Sequence, residues 1–368
     1  MFRFVSVLVL YLSFVVCALM GGGCMPELVV PSSVEELHKL AREQVGTLLD
    51  EASWWREGDG YAYAVDVGHL MIYAAVQKEK ALYDSLRTFA QSHLVLNDPK
   101  DDYTRGFVLW RYKPGVDGDA SGTTEALRIA EGFWRGHQSF GEAEDKQMAL
   151  MILNGYARHA FVDQGIWLIR NYFNLGTRAF VTNSFLVDYD PDFVDEVAKE
   201  TQDKTLQEVA EKSYEIVRKA GSKAGLLYSI IQPEVGTLLP LELSFFSPND
   251  VIKLLNCSSV AERVTRGERG SARRVLDFVL AQGDELTTYF LGRTGEKVEL
   301  GVSSEPGPST YASLLRLAIK LEDNNAINAL LPPFIKTVQT FVRTPSAPKL
   351  YVYGEILLAF SALSQYRQ

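Results

Sequence analysis

The sequence predicts an all-α protein whose helical hairpins close into a double ring, an (α/α)6 toroid, and three observations carry that expectation. Charged amphipathic segments alternate with apolar ones along the chain. No alternation of period two, the mark of a half-buried strand, persists beyond about five residues. No linker rich in Pro, Gly or Ser divides the chain, so one ring domain over residues 24–368 is expected.

Composition fits this reading. The 368 residues are 47% apolar and 23% charged, with 28 Gly and 14 Pro, which excludes a disordered tail, a collagen and a multi-span membrane protein. There are 37 basic against 46 acidic residues, a net charge of −9, and no basic cluster is longer than Arg273-Arg274. Such a chain repels a phosphate backbone, so no nucleic-acid partner is expected. Cys17, Cys24 and Cys257 cannot build a disulfide framework, and the five His show no His-x-x-x-His spacing. No metal and no cofactor are expected.

In chain order, residues 4–20 form an unbroken run of apolar and small residues behind Arg3, followed by Gly21-Gly22-Gly23-Cys24. This reads as an export segment over residues 1–23. It resembles a bacterial lipoprotein signal, which implies Cys24 as the lipidated first residue of the mature chain. An uncleaved N-terminal anchor and ordinary secretion are the other readings, since about 20 apolar residues span a bilayer. All three place the bulk of the chain in the cell envelope, the periplasm or outside, and the first two attach it to a membrane.

Amphipathic helices are predicted over 34–52, 79–94, 143–160, 203–220 and 272–282, where apolar residues recur at three and four. Helices packed on more than one side are predicted over 65–77, 123–134, 310–320 and 351–364, which are richer in Ala, Leu and Ile. About eleven helices can be counted along the chain, against the twelve of a complete ring of six hairpins. The segments 181–189 and 229–232 read as short strands or extended loops.

In such a ring the inner helices direct their starts at one cleft. Three segments combine acids and aromatics at such starts: Trp54 to His69, Trp110 to Ala130, and Phe245 to Leu254. Their order and spacing resemble glycoside hydrolase family 8, which carries S-E-G-x-x-Y-G-M-L-x-A, then A-W-R with S-A-T-D-A-D-L-x-I-A, then Y-D-A-I-R. This chain has V-D-V-G-H-L-M-I-Y-A-A at 65–75, L-W-R at 109–111, S-G-T-T-E-A-L-R-I-A at 121–130 and N-D-V-I-K at 249–253. The resemblance implies Asp66 as general acid and Asp250 as general base, with Thr124 at the family's substrate-binding Asp and Glu125 beside it. It implies inverting hydrolysis of a β-linked polysaccharide or oligosaccharide, for which the two carboxyls must stand roughly 6.5–9.5 Å apart.

Simpler readings stand beside these. Ser247-Pro248 followed by Asp250 reads as a capped helix start, Asp66 as a helix N-cap, and the run 117–123 as a turn that caps the next helix. His69 reads as a hydrogen-bonded core histidine. The Trp and Tyr residues at 54, 55, 61, 63 and 110 suit stacking on sugar rings, with Arg111 and Asp119 as polar contacts. Trp134 reads equally as core. A weaker second wall comprises Asp163, Trp167, Asn171, Tyr172, Asn183, Ser184 and Asp188, then Tyr311 and Tyr353-Gly354-Glu355. No Gly-x-Ser-x-Gly, phosphate loop, dinucleotide fingerprint or His-Glu-x-x-His is present. Two functions remain: an exported glycosidase, or an envelope-anchored glycan-binding or assembly protein that has lost catalysis.

Overall fold

The computed structural model describes residues 33–50, 60–234, 237–240, 250–299, 305–343 and 350–367. The leader, Cys24, Trp54, Trp55 and Ser247-Pro248 lie outside the described residues. Among the described residues no helix is long and apolar enough to cross a membrane.

Among the described residues twelve α-helices alternate between an outer and an inner ring. The outer members are α1 (Val34–Asp50), α3 (Lys80–Phe89), α5 (Ala143–Ala157), α7 (Lys204–Lys219), α9 (Arg269–Gln282) and α11 (Asn324–Arg343). The inner members are α2 (Ala64–Val76), α4 (Thr123–Phe140), α6 (Pro191–Thr201), α8 (Leu254–Ala261), α10 (Pro308–Lys320) and α12 (Leu350–Tyr366). The predicted double ring is therefore the observed one. Each outer helix keeps one wet face, whereas α2, with Asp66 as its one acid, is buried over eleven of its thirteen residues.

Helix starts follow local chemistry. The Asp190 carboxylate accepts the Phe193 N–H at 3.2 Å with Pro191 as first helical residue, and Asp203 accepts from Thr205 and Leu206 at 2.9 and 3.1 Å. In the inner ring α2 packs on α4, α8 on α10, and α10 on α12; α12 returns to α2 and closes the circle. Gln77 seals that closure by donating to Ser361 Oγ at 2.6 Å, across 284 residues of sequence. The α2–α4 crossing is so close that a Cβ at Gly68 would stand 2.6 Å from Arg128 Cβ and 2.8 Å from its carbonyl carbon.

Short strands pin the loops at the mouth of the ring. β1 (Ala62–Tyr63) pairs with β2 (Arg111–Tyr112), and β3 (Ala120–Gly122) pairs with 172–174, all antiparallel. Farther on, 230–234 and 184–185 pair as strands, which resolves the two segments read as strand or loop. The third site segment differs from the predicted helix start. Residues 251–253 are a strand paired antiparallel with 289–291, and α8 begins only at Leu254. Asp250 precedes that strand with φ at 71°, so it caps no helix.

Candidate functional site

Four inner helices begin at one cavity of about 620 Å³. Tyr63 and Val65 come from the start of α2, Thr124 and Glu125 from α4, Asn256 from α8 and Tyr351 from α12. The strands explain the convergence. Pairing of β1 with β2, helped by the Ala64 N–H donating to the Trp110 carbonyl at 3.0 Å, brings Trp110 over the α2 start. Pairing of β3 sets Gly122 opposite Tyr172, and the Thr123 hydroxyl donates to the Asn171 carbonyl at 2.7 Å. Gly122 leaves room for the Glu125 carboxylate: a Cβ there would lie 1.9 Å from Glu125 Oε2 and would push that side-chain end aside.

The aromatic wall is braced. Tyr63 meets Trp110 edge to face with centroids 5.6 Å apart. The Trp110 indole N–H donates to Asp119 Oδ1 at 2.6 Å, and Arg111 Nη2 donates to Asp119 Oδ2 at 2.9 Å. Burial would raise the Asp119 carboxyl, but the Trp110 and Arg111 hydrogen bonds and the Arg111 charge outweigh it and hold the group below the usual range. Arg111 is thereby drawn over the rings, 3.9 Å from the Tyr61 centroid and 4.1 Å from that of Trp110. It occupies one face of the Tyr61 ring and one of the Trp110 ring.

Among the described residues, the two carboxylates on the cavity wall are Asp119 and Glu125. Asp66 is in the first turn of α2, with Tyr63 rather than Asp66 at the N-cap position. It is only 1% exposed and is not among the lining residues. The helix period explains this: Val65 and His69 are four apart and share the cavity face, and Asp66 lies about 100° round from Val65. Its charge still reaches the cavity floor, because it acts on the Tyr351 hydroxyl, whose pKa is raised chiefly by burial and by Glu355. Asp250 is also absent from the wall. Its carboxylate accepts from the Tyr228 hydroxyl at 2.9 Å and the Arg293 N–H at 3.2 Å.

Thr124 is on the wall, and its hydroxyl donates inward to Asp188 at 2.8 Å. Of the weaker second wall, Asn171 and Tyr172 reach the cavity. Asp188 lies behind it, Ser184 bonds the Tyr189 hydroxyl at 2.7 Å, and Asp163 and Trp167 belong to the 160–169 hairpin. Trp134 is fully buried, so the core reading holds for it.

Sequence reasoning missed the floor. It is polar, with Asn256, Ser259 and Arg263, and it also holds His69. The His69 Nδ1 is buried without a hydrogen-bond partner among the described residues. Burial, then the charges of Arg128, Arg316 and Arg263, push its pKa well down and keep it neutral. Below run ion pairs from Arg128 and Arg263 to Asp190, and from Arg316 to Glu262 at 2.9 Å and Glu355 at 2.6 Å. Single charges inside apolar runs, such as Arg128 in L-R-I-A and Arg316 in L-R-L-A, were the available signal. Among the described residues no group of His, Cys, Asp and Glu is placed to hold a metal ion.

No family model and no curated protein matches the chain. Its structure, however, is similar to solved ones. An α-amylase from Clostridium perfringens superposes with a TM-score of 0.69 at 16% identity, over 91% of this chain and 99% of that one. An endo-β-1,4-glucanase from Acetobacter xylinum gives 0.65 at 16% identity, over 90% of this chain and 100% of that one. A family 8 glycosyl hydrolase endoglucanase from Klebsiella pneumoniae gives 0.62 at 12% identity, over 90% and 100%. The resemblance read from the three segments and the superposition of whole structures agree: the chain has the double-ring fold of the family 8 glycosidases.

Proposed function

We propose that this chain is an exported carbohydrate-active protein of the glycoside hydrolase type, which takes a β-linked polysaccharide or oligosaccharide into the cavity and cleaves it by inversion. The observation that supports this most is the meeting of Trp110, Tyr63 and Tyr172 with Asp119 and Glu125 at the starts of the inner helices. Aromatic faces match the C–H faces of a pyranose, and the carboxylates match its hydroxyls. In the reaction that the family resemblance implies, Asp66 would protonate the leaving glycosidic oxygen and Asp250 would take a proton from the water that attacks the anomeric carbon as the C–O bond breaks, which requires both acids, off the cavity wall in this structure, to reach the substrate. A lipidated Cys24, first residue of the mature chain once residues 1–23 are removed, would hold the protein at the envelope.

One observation favours a second reading, glycan binding without turnover. Asp66 and Asp250 both lie off the cavity wall, and Thr124 carries no charge where the family has an aspartate.

Reducing-sugar release from barley β-glucan, carboxymethylcellulose and xylan by the parent, Asp66→Asn, Asp250→Asn and Glu125→Gln separates the two. Hydrolysis lost in Asp66→Asn and Asp250→Asn, with oligosaccharide binding retained, supports the acid/base pair. Binding by the parent without hydrolysis of any of the three selects the second reading. Hydrolysis by Asp250→Asn as fast as the parent removes Asp250 as the base.

A further inference from the structure

The floor of the cavity carries a cation whose hydrogen bonds are mostly unmade. Asn256, Ser259 and Arg263 line it at spacings of three and four, and helical backbone continues through Glu262, so the three stand in one row along α8. At 1.5 Å per residue the row descends about 10 Å, from Asn256 in the first turn to Arg263 just past the end of the helix.

Arg263 is only 6% exposed. A guanidinium carries five N–H hydrogens. Among the described residues Nη1 donates to the carbonyl of Val187, itself on the cavity wall, at 3.1 Å, and Nε has no hydrogen-bond partner. Its carboxylate, Asp190, stands 3.7 Å from Nε and is held more closely by Arg128. Glu262 and Glu355 are taken by Arg316 at 2.9 and 2.6 Å. Arg263 also borders a second cavity, of about 560 Å³, near the ends of α2, α10 and α12, but the bond to Val187 ties Nη1 to the first. Ser259 Oγ stands 3.5 Å from Ser313 Oγ, too far for a good hydroxyl bond. The field at this floor is positive: besides burial, the charges of Arg128, Arg316 and Arg263 push the pKa of His69 down, against the charge of Glu131.

We propose that the row on α8 is a receptor for a carboxylate carried by the sugar, so that the cavity takes an acidic β-linked glycan, one containing uronic acid units, and seats the acid on Arg263. The inference rests on the cavity being the glycan site.

Charge decides which way round such a sugar lies. Asp119 and Glu125 line the side formed by β3 and the start of α4, and a carboxylate there would meet like charge. Asp188, behind Thr124, adds to this at neutral pH; burial raises its carboxyl to about 6, against the hydrogen bonds from Thr124 and Asn171. The α8 side offers the opposite: a buried planar fork with unfilled donors, and the amide of Asn256 and hydroxyl of Ser259 above it. A hydroxymethyl group at the same sugar carbon brings one uncharged oxygen. Charge-assisted hydrogen bonds are about twice as strong as neutral ones, so the acid should outbind its reduced form.

Isothermal titration of the full chain tests this with a hexasaccharide of alternating β-linked glucose and glucuronate, and with the same hexasaccharide after its carboxylates are reduced to hydroxymethyl groups. The parent should bind the acidic form at least tenfold more tightly. Arg263→Gln should bring the ratio of the two affinities close to one, and Arg263→Lys, which keeps the charge but not the fork, should retain part of it. Asn256→Asp sets a carboxylate in the row without touching the ion pairs beneath, and should lower the ratio about tenfold. Thermal melts establish which variants are folded; if Arg263→Gln is not, Asn256→Asp carries the test. A parent that binds the reduced form as tightly or more tightly overturns the inference and leaves the glycan site standing. An unchanged ratio in folded Arg263→Gln or in Asn256→Asp does the same, as does a parent that binds cellohexaose or xylohexaose but neither hexasaccharide. If the parent binds no glycan at all, the functional reading fails and takes the inference with it.

Discussion

Arg111 lies against Tyr61, its guanidinium carbon 3.9 Å from the ring centroid, while its Nη2 holds Asp119 at 2.9 Å. Three of the residues expected to touch sugar therefore hold one another. The ring face that a sugar would use on Tyr61 is the one Arg111 leaves open, and the reach of Asp119 is set by the same guanidinium.

Replacing Arg111 by Gln removes a cation and a hydrogen bond from Asp119 while leaving the Trp110 N–H in place. The Asp119 carboxyl should titrate higher than in the parent, because two of the influences that lower it are gone. Carboxyl carbon chemical shifts followed against pH provide the measurement; an unchanged midpoint would show that Trp110 alone sets the group.

Asp188 should leave a mark on stability. Its folded value, about 6, is above the ordinary carboxylate value of 3.8, so the folded state binds the proton more tightly. This contribution is complete below about pH 4 and is lost as the pH rises through 6. It amounts to roughly 3 kcal/mol at most, since each tenfold gain in proton affinity is worth about 1.4 kcal/mol. Urea denaturation of the parent and Asp188→Asn between pH 4 and 7 should show the parent losing stability relative to the variant as the pH rises.

Glu196 gives the opposite sign. Burial raises its carboxyl, but hydrogen bonding to Arg135 and the charges of Arg135 and Arg266 bring it down to about 2. Its contribution is present above about pH 4.5 and is lost as the pH falls toward 2. Glu196→Gln should destabilise the protein at pH 7 by about 2 kcal/mol, with the difference from the parent shrinking in acid, as read from denaturant midpoints.

Gly68→Ala tests the inner ring. The added methyl would meet the Arg128 Cβ and backbone at 2.6 and 2.8 Å, and backbone cannot swing aside as a side-chain tip can. A loss of about 2 kcal/mol or more is expected in thermal or denaturant unfolding, with α2 forced from α4.

The ring was legible because its evidence is periodic: alternating wet and dry helices need only spacing to be seen. The helices that escaped notice explain the limit. α8 has eight residues and no charged face, and α11 continues through Pro332 and Pro333, a residue type that ordinarily interrupts a helix. In the candidate site, residues 61–63 and 110–125 could be read because aromatics, acids and Gly gather just before helix starts. The placement of Asp250 could not, because the strand after it is three residues long and its partner is at 289–291. Asp66 shows a finer limit. Sequence places it in the first turn of an inner helix, but only packing decides that Val65 and His69 face the cavity. The floor residues Asn256 and Arg263 resemble ordinary helix-end polar groups until the ring assembles around them.

The bond from Gln77 to Ser361 has a consequence for the order of assembly. The last of the described helices, α12, supplies both the seal of the inner ring and Tyr351 on the cavity floor. Until the ribosome has released residues near 361, the apolar flank of α2 has no neighbour on that side. Contacts this distant along the chain form late and slowly. A protein cut short before α12 would thus lose its floor and its closure together, and the unfinished arc would expose a core face suited to chaperones or to aggregation.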